Sequence, residues 1–484
     1  MKPIPLAAAA LCGGLLAGCA AGPDFVRPAA PQDSAYMAQA VPAATVAAPG
    51  LTGAPQHWEP GGAVDPRWWT AFGAPRLDAL VAAALAASPD LQSADAALRA
   101  ARATAAAQRG MFAPSVALDI SPTRQQVAST LSSPTASGTN LYSLHTAQLS
   151  IAYVPDVFGG LRRQAEGAEA LADNARFQRD AARLTLVANL VNAVIVEAAL
   201  REELAADRAV VAAAAGQLDA MRVARAAGQA GAADSAAQEA LVAQAQAALP
   251  PLERQLAQQR DMVALLTGRT PQQDTLARPA FDELHLPQAL PLSIPASLVR
   301  QRPDILAAEA QLHAAAAQVG IAQAARLPNI ALSGALGSSA LTPGTLFKSG
   351  NGFWSIGADL VQPLFQGGAL KHRQRAAEAG YDQAAAQYRG VVLAAFQNVA
   401  DTLHAIDADA RALQAAAAAE TAAQRSLRIA QQQWMAGLTG HPAVLQAQQG
   451  WQQARATTIQ ARAARLTDTV ALFQALGGGQ GIEP

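Results

Sequence analysis

Histidines, cysteines and glycine runs are the residues of this 484-residue chain that could do chemistry, and their spacing removes most of it. The seven histidines, at positions 57, 145, 285, 313, 372, 404 and 441, form no HExxH pair and no other metal-ligand spacing. Each therefore reads as a surface or interface residue. A phosphate-binding loop needs glycines between a strand and a helix, whereas Gly477-Gly478-Gly479 trails a helix as a tail. No GxSxG nucleophile turn occurs. No catalytic residue, metal site or cofactor is expected, which leaves the two cysteines, Cys12 and Cys19.

Both cysteines fall in an N-terminal address. Met1-Lys2 supplies a positive start, residues 6–16 an apolar run, and Leu16-Ala17-Gly18-Cys19 a small-residue cleavage site. Residues 1–18 read as a secretory signal, too short to span a bilayer. The site resembles the bacterial lipobox, which implies cleavage before Cys19 and lipidation of its thiol. Cys12 leaves with the signal, so the mature chain keeps one cysteine and no disulfide or thiolate metal site. Ala20 follows Cys19, with no aspartate to suggest retention at the inner membrane. A net charge of −1, with no basic stripe carrying interleaved aromatics, argues against nucleic acid.

Two stretches set the scale of the elements behind this address. Residues 159–227 and 368–436 contain no proline, are dominated by alanine and carry apolar seams at helical spacing. Leu184, Val187, Val191 and Val194 make the first seam; Val392, Phe396, Val399, Leu403 and Ile406 make the second. Each predicts one helix of ~100 Å, far longer than a globular core needs. Return helices are expected at ~232–267 and ~442–476, with Pro250-Pro251 kinking or splitting the first of them. Residues 19–66, with eight scattered prolines, predict a lipidated extended tether that stays out of the core. Residues 271–295 predict a Pro-rich connector.

Strict alternation predicts strands at ~114–122, ~142–154, ~328–337 and ~352–363. The order of proline, strand pair, double glycine, long helix and tip occurs twice. Pro89-Asp90 returns as Pro303-Asp304, an offset of 303 − 89 = 214, and Pro114 returns as Pro328. The chain is thus a duplication, with repeats at 67–270 and 296–484. The strands, of about ten residues with one apolar face, suit either a transmembrane barrel or a soluble half-buried sheet. The secretory address and the long helices favour the membrane. A bilayer tolerates no open sheet edge, so four strands per chain demand an oligomer of unstated number. The fold class expected is mainly α with a small transmembrane β part.

These features together resemble the outer membrane factor family of TolC-like channels, and within it the lipoprotein NodT/OprM-type branch. The residues that carry the likeness span nearly the whole mature chain. They include Gly18-Cys19-Ala20-Ala21-Gly22-Pro23-Asp24-Phe25 with Arg27-Pro28, and Trp68-Trp69 with Phe72 and Leu77. Further on come Ile294-Pro295-Ala296, Arg302-Pro303-Asp304-Ile305 with Ala308-Glu309, Gln362-Pro363-Leu364-Phe365-Gln366-Gly367-Gly368, and Ala475-Leu476-Gly477-Gly478-Gly479. The resemblance implies a homotrimer sharing a twelve-stranded outer-membrane β-barrel and a periplasmic α-barrel tunnel. It implies a passive exit duct for drugs, toxic small molecules or metal ions, serving a periplasmic membrane-fusion adaptor protein and an inner-membrane efflux pump of the RND type.

Adaptor docking is implied at the two helix turns, through Gly228, Gln229 and Asp234 in the first and Trp434, Gly437 and Leu438 in the second. Aperture positions are implied at Leu445 and Gln446, where Gln446 replaces an aspartate common in the family and so predicts a less cation-selective or more weakly closed aperture. Two other readings compete. An enzyme lacks its motifs, and a lipid-anchored periplasmic scaffold or adaptor without a pore would leave the duplicated strand pairs unexplained.

Overall fold

The computed structural model describes residues 21–32, 35–38, 41–128, 130 and 140–479, so the signal sequence and Cys19 lie outside the described residues. In chain order the elements are strand β1 (His57–Pro60), helices α1 (Pro75–Ala87) and α2 (Pro89–Gly110), strands β2 (Ser115–Gln126) and β3 (Leu141–Tyr153), and helices α3 (Gly160–Ala226) and α4 (Ala232–Leu266). Strand β4 (Ala289–Leu292), the single turn α5 (Pro295–Leu298) and helix α6 (Pro303–Ala324) follow. Strands β5 (Asn329–Ala340) and β6 (Gly352–Val361) precede the last two helices, α7 (Ala369–Met435) and α8 (His441–Ala475). Two compact units share these elements: one gathers the described residues within 1–28, 97–176 and 307–388, the other those within 29–96, 177–306 and 389–484.

The duplication is visible residue for residue in the helical hairpins, since α3 and α7 each have 67 residues and α4 and α8 each have 35. At about 1.5 Å per residue each long helix extends ~100 Å. Asp156 starts α3 by accepting hydrogen bonds from the Leu161 and Arg162 amides, both at 2.9 Å, which satisfies two otherwise unpartnered donors. Helix α4 runs unbroken through Pro250-Pro251, so of the two outcomes expected there, kinking or splitting, splitting does not occur. Both prolines sit on an exposed stretch, where water can take the carbonyls they leave unpaired.

In the first unit, β2, β3, β5 and β6 form one antiparallel sheet in that order. The register places Leu118 beside Leu149, Leu149 beside Leu336 and Leu336 beside Trp354. Because side chains alternate faces, this alignment gathers Val116, Leu118, Ile120, Leu149, Ile151, Leu336, Trp354, Ile356 and Leu360 on one face and Asp119, Gln148, Ser150 and Ser333 on the other.

The second unit holds an apolar core in which Trp68 stacks on Phe473 at 5.4 Å, with Phe72 edge-on to the same ring. Val187, Val191, Val194, Val399, Leu403 and Ile406 from the two seams are all nearly fully buried. Each such side chain contributes roughly 1.5–3 kcal/mol of transfer free energy.

The expected tether is a correction. Within 19–66, β1 pairs in parallel with β4, and Thr45, Thr52, Gln56 and Val64 are buried. Arg465 of α8, with no exposed surface, donates to Thr45 Oγ1, the Thr52 carbonyl and the Ala54 carbonyl. The prolines kept this segment from forming helix, but its backbone groups found long-range partners instead. The connector 271–295 is likewise structured, since it contributes β4.

Candidate functional site

The four-stranded sheet has no shielding on its apolar face. Leu118 is 69% exposed, Trp354 73% and Ile356 83%, and Val116, Ile120, Leu336 and Leu360 are similarly open. A soluble monomer rarely shows so large a contiguous apolar patch. The outer edges of β2 and β6 pair with no described strand. An apolar face with two open edges is a fragment of a larger closed sheet.

In the second unit the two helix turns are built alike. At the first, Gly228 takes φ +72° and the Gln229 amide donates to the Ala224 carbonyl at 2.8 Å. At the second, Gly437 takes φ +70° and the Leu438 amide donates to the Gln433 carbonyl at 2.8 Å. Both close by the same left-handed glycine cap, which a residue with a Cβ adopts only under strain. Gly228, Gln229, Gly437 and Leu438 are exposed, so both turns present backbone together with one longer side chain outward, Gln229 in the first and Leu438 in the second.

The turns differ in their side chains. Asp234 is half-buried near the start of α4, and Trp434 lies in the last turn of α7. A histidine that the sequence placed only as a surface or interface residue organises this region. His441, the first residue of α8, is 3% exposed and meets the Trp434 ring edge-on at 5.1 Å. Burial pushes the His441 imidazole below its ordinary range, with the Asp234 carboxylate partly offsetting the effect. Its Nδ1 is buried without a hydrogen-bond partner. Local spacing could not reveal this, because the ring that meets His441 and the carboxylate that acts on it lie on other helices, α7 and α4.

Leu445 packs against the buried cluster of Ala214, Leu218, Leu241 and Val242, while Gln446 is exposed. Of the two positions expected at the aperture, Gln446 is the more exposed. Neighbouring Gln448 and Gln238 are buried, and Gln238 donates to the Ala214 carbonyl at 2.8 Å. A second polar cluster lies further along α7 and α8: Asp409 is pushed up to about 7 by burial and the adjoining Asp468 carboxyl. No group of His, Cys, Asp and Glu with metal-binding geometry occurs among the described residues.

The comparisons with known proteins bear on these same parts. The outer membrane efflux protein family profile matches residues 80–269 and 294–478. The pyoverdine export outer membrane protein OpmQ of Pseudomonas aeruginosa is 33% identical over 419 residues, covering 85% of this chain and 87% of its own length. The toluene efflux pump outer membrane protein TtgF of Pseudomonas putida is 31% identical over 467 residues, covering 96% and 95%. The solved structure of the outer-membrane channel OprN superposes with a TM-score of 0.85 at 26% identity, covering 95% of this chain and 99% of that one. That neighbour is a channel, which sets aside the scaffold without a pore. On the matched residues, the end-to-end relatives and the unshielded sheet, this chain belongs to the outer membrane efflux protein family and is an outer-membrane efflux channel.

Proposed function

We propose that three copies of this chain pool their sheets into one closed twelve-stranded barrel and their long helices into a duct. The unshielded four-stranded sheet supports this most directly. In hydrocarbon each unpaired N–H or C=O costs several kcal/mol, so β2 of one copy must meet β6 of the next. Four strands cannot close, and membrane barrels begin at about eight. Acylation of Cys19 adds a lipid anchor to the barrel.

The two turns then engage a periplasmic adaptor and, through it, an inner-membrane pump, with Asp234 and Trp434 helping to latch neighbouring helices. Gln446, uncharged and exposed, gives an aperture with weak cation preference. Relatives named for pyoverdine and for toluene differ so widely in cargo that selection fits the pump better than the duct wall.

Cysteine pairs introduced on β2 (positions 117–121) and β6 (355–359) test the assembly. Oxidation should give covalent trimers on denaturing gels; cross-linking that stops at dimers, or none at all, would sink the twelve-stranded reading. For the aperture, Gln446→Asp should raise cation selectivity in single-channel recordings. Strong cation selectivity in the native channel that Gln446→Ala leaves untouched removes that assignment.

A further inference from the structure

The segment just after the cleavage site carries Gly22-Pro23-Asp24-Phe25 and Arg27-Pro28, a motif that neither barrel nor tips use. In the first unit this segment is gripped along its length. The Ala21 amide donates to the Phe158 carbonyl at 2.9 Å, where β3 gives way to α3. Arg163, whose side chain is 6% exposed, donates Nε to the Ala21 carbonyl at 3.2 Å and Nη2 to the Gly22 carbonyl at 3.3 Å. It also donates Nη2 to Asp24 Oδ1 and Nη1 to Glu166 Oε2, both at 2.7 Å. Asp24 is 91% exposed, so water screens that ion pair and the part-buried carbonyl bonds matter more.

His313 completes the grip. Its Nε2 donates to Glu166 Oε1 at 2.8 Å, and its ring stacks on Phe25 at 4.3 Å, nearly parallel. Arg27 donates to Glu309 at 2.6 Å. Two glycines face each other beneath the segment. A Cβ on Gly22, which sits at φ +89°, would lie 2.5 Å from the Gly320 Cα. A Cβ on Gly320 would lie 2.8 Å from Arg163 Cγ and 2.9 Å from the Ala21 carbonyl oxygen. A loose tail needs neither a left-handed glycine nor a buried arginine spent on its carbonyls.

We propose that residues 21–28 form a lock that fixes the exit point of the lipid anchor, with Arg163, His313 and Gly320 as its positioning residues. Ala21 is two residues after Cys19, and a chain spans at most about 3.6 Å per residue. Acyl chains on Cys19 therefore enter the bilayer at the junction of β3 and α3, whatever conformation the intervening residue takes. The lock rests on the acylation reading for its purpose but not for its existence.

A nitroxide on Val26→Cys tests this in outer membranes. Val26 is 78% exposed, and after signal removal Cys19 is the chain's remaining native cysteine. The label should show one immobilised population at a fixed depth, measured by oxygen against a water-soluble nickel chelate. The same spectrum and depth should persist in Cys19→Ser behind a non-lipoprotein signal. Gly320→Val and His313→Ala should release the label into a mobile population, while mass spectrometry still finds the N-terminal peptide acylated. His313→Ala is the milder variant, with denaturant-resistant oligomer as the folding control. A mobile label in the native chain, or a depth that follows acylation and ignores both variants, overturns the lock. An unacylated N-terminal peptide would remove the anchor and leave the mobility result to decide the lock.

Discussion

The two helix turns share one backbone and carry different chemistry. Each caps a 67-residue helix with a left-handed glycine and the same six-residue hydrogen-bonded closure, then opens a 35-residue return helix. The first returns through Ala232 and Ala233 to a half-buried Asp234; the second returns directly through a buried His441 packed on Trp434. The two copies thus share the geometry of the turn, and the second carries the His441–Trp434 ring pair. Backbone capping is satisfied within five or six residues and tolerates any neighbours. Side-chain burial depends on what the opposite turn supplies, so the copies could diverge there without losing the cap.

The largest effect should come from breaking the shared part. Gly228→Val and Gly437→Val each force a β-branched residue into left-handed backbone at about 1–2 kcal/mol. Amide exchange in the last turns of α3 and α7 should quicken roughly tenfold in each case, since about 1.4 kcal/mol is a factor of ten. Unequal losses would show that the backbones are not equivalent in energy.

The remaining tests act on the part that differs. Trp434→Ala removes the ring contact on His441, worth about 0.5–1.5 kcal/mol beyond its area. Exchange should quicken at the second turn more than at the first, and equal effects at both would erase the asymmetry.

Acidification is subtler. His441 titrates below its ordinary value of 6.5 because burial penalises the charged ring. Protons then bind more tightly to the opened turn, so its stability is complete above 6.5 and is lost as pH falls. Protection should decline below 6.5 at the second turn alone, and His441→Gln should abolish the decline. Asp234→Asn, the smallest change, removes the charge that offsets burial. The decline should begin at the same pH and run deeper, and the His441 midpoint by NMR should drop. A shallower decline would mean that Asp234 does not act on this ring.

Much of the fold was legible because its signals are local. A proline-free, alanine-rich run with apolar residues every three or four positions can bury them only as a helix, so α3 and α7 end within a residue or two of the expected limits. Alternation likewise marked the four strands, and double glycines marked their ends. The repeated order of these signals exposed the duplication without any contact information. The sheet's need for partners also followed, since four strands with one apolar face cannot satisfy their own edges.

The tertiary structure alone decided what long side chains and Pro-rich segments do. Nothing near Arg163 or Arg465 in the chain distinguishes them from solvated arginines. Each is buried because a segment over a hundred residues away brings carbonyl oxygens to its guanidinium. The pairing of β1 with β4 and the burial of His441 have the same origin. Periodicity reports which face of an element is apolar, and so fixes elements and their number of faces. It carries no information on which distant polar group will meet which, and in this chain those meetings build the N-terminal lock and the second turn.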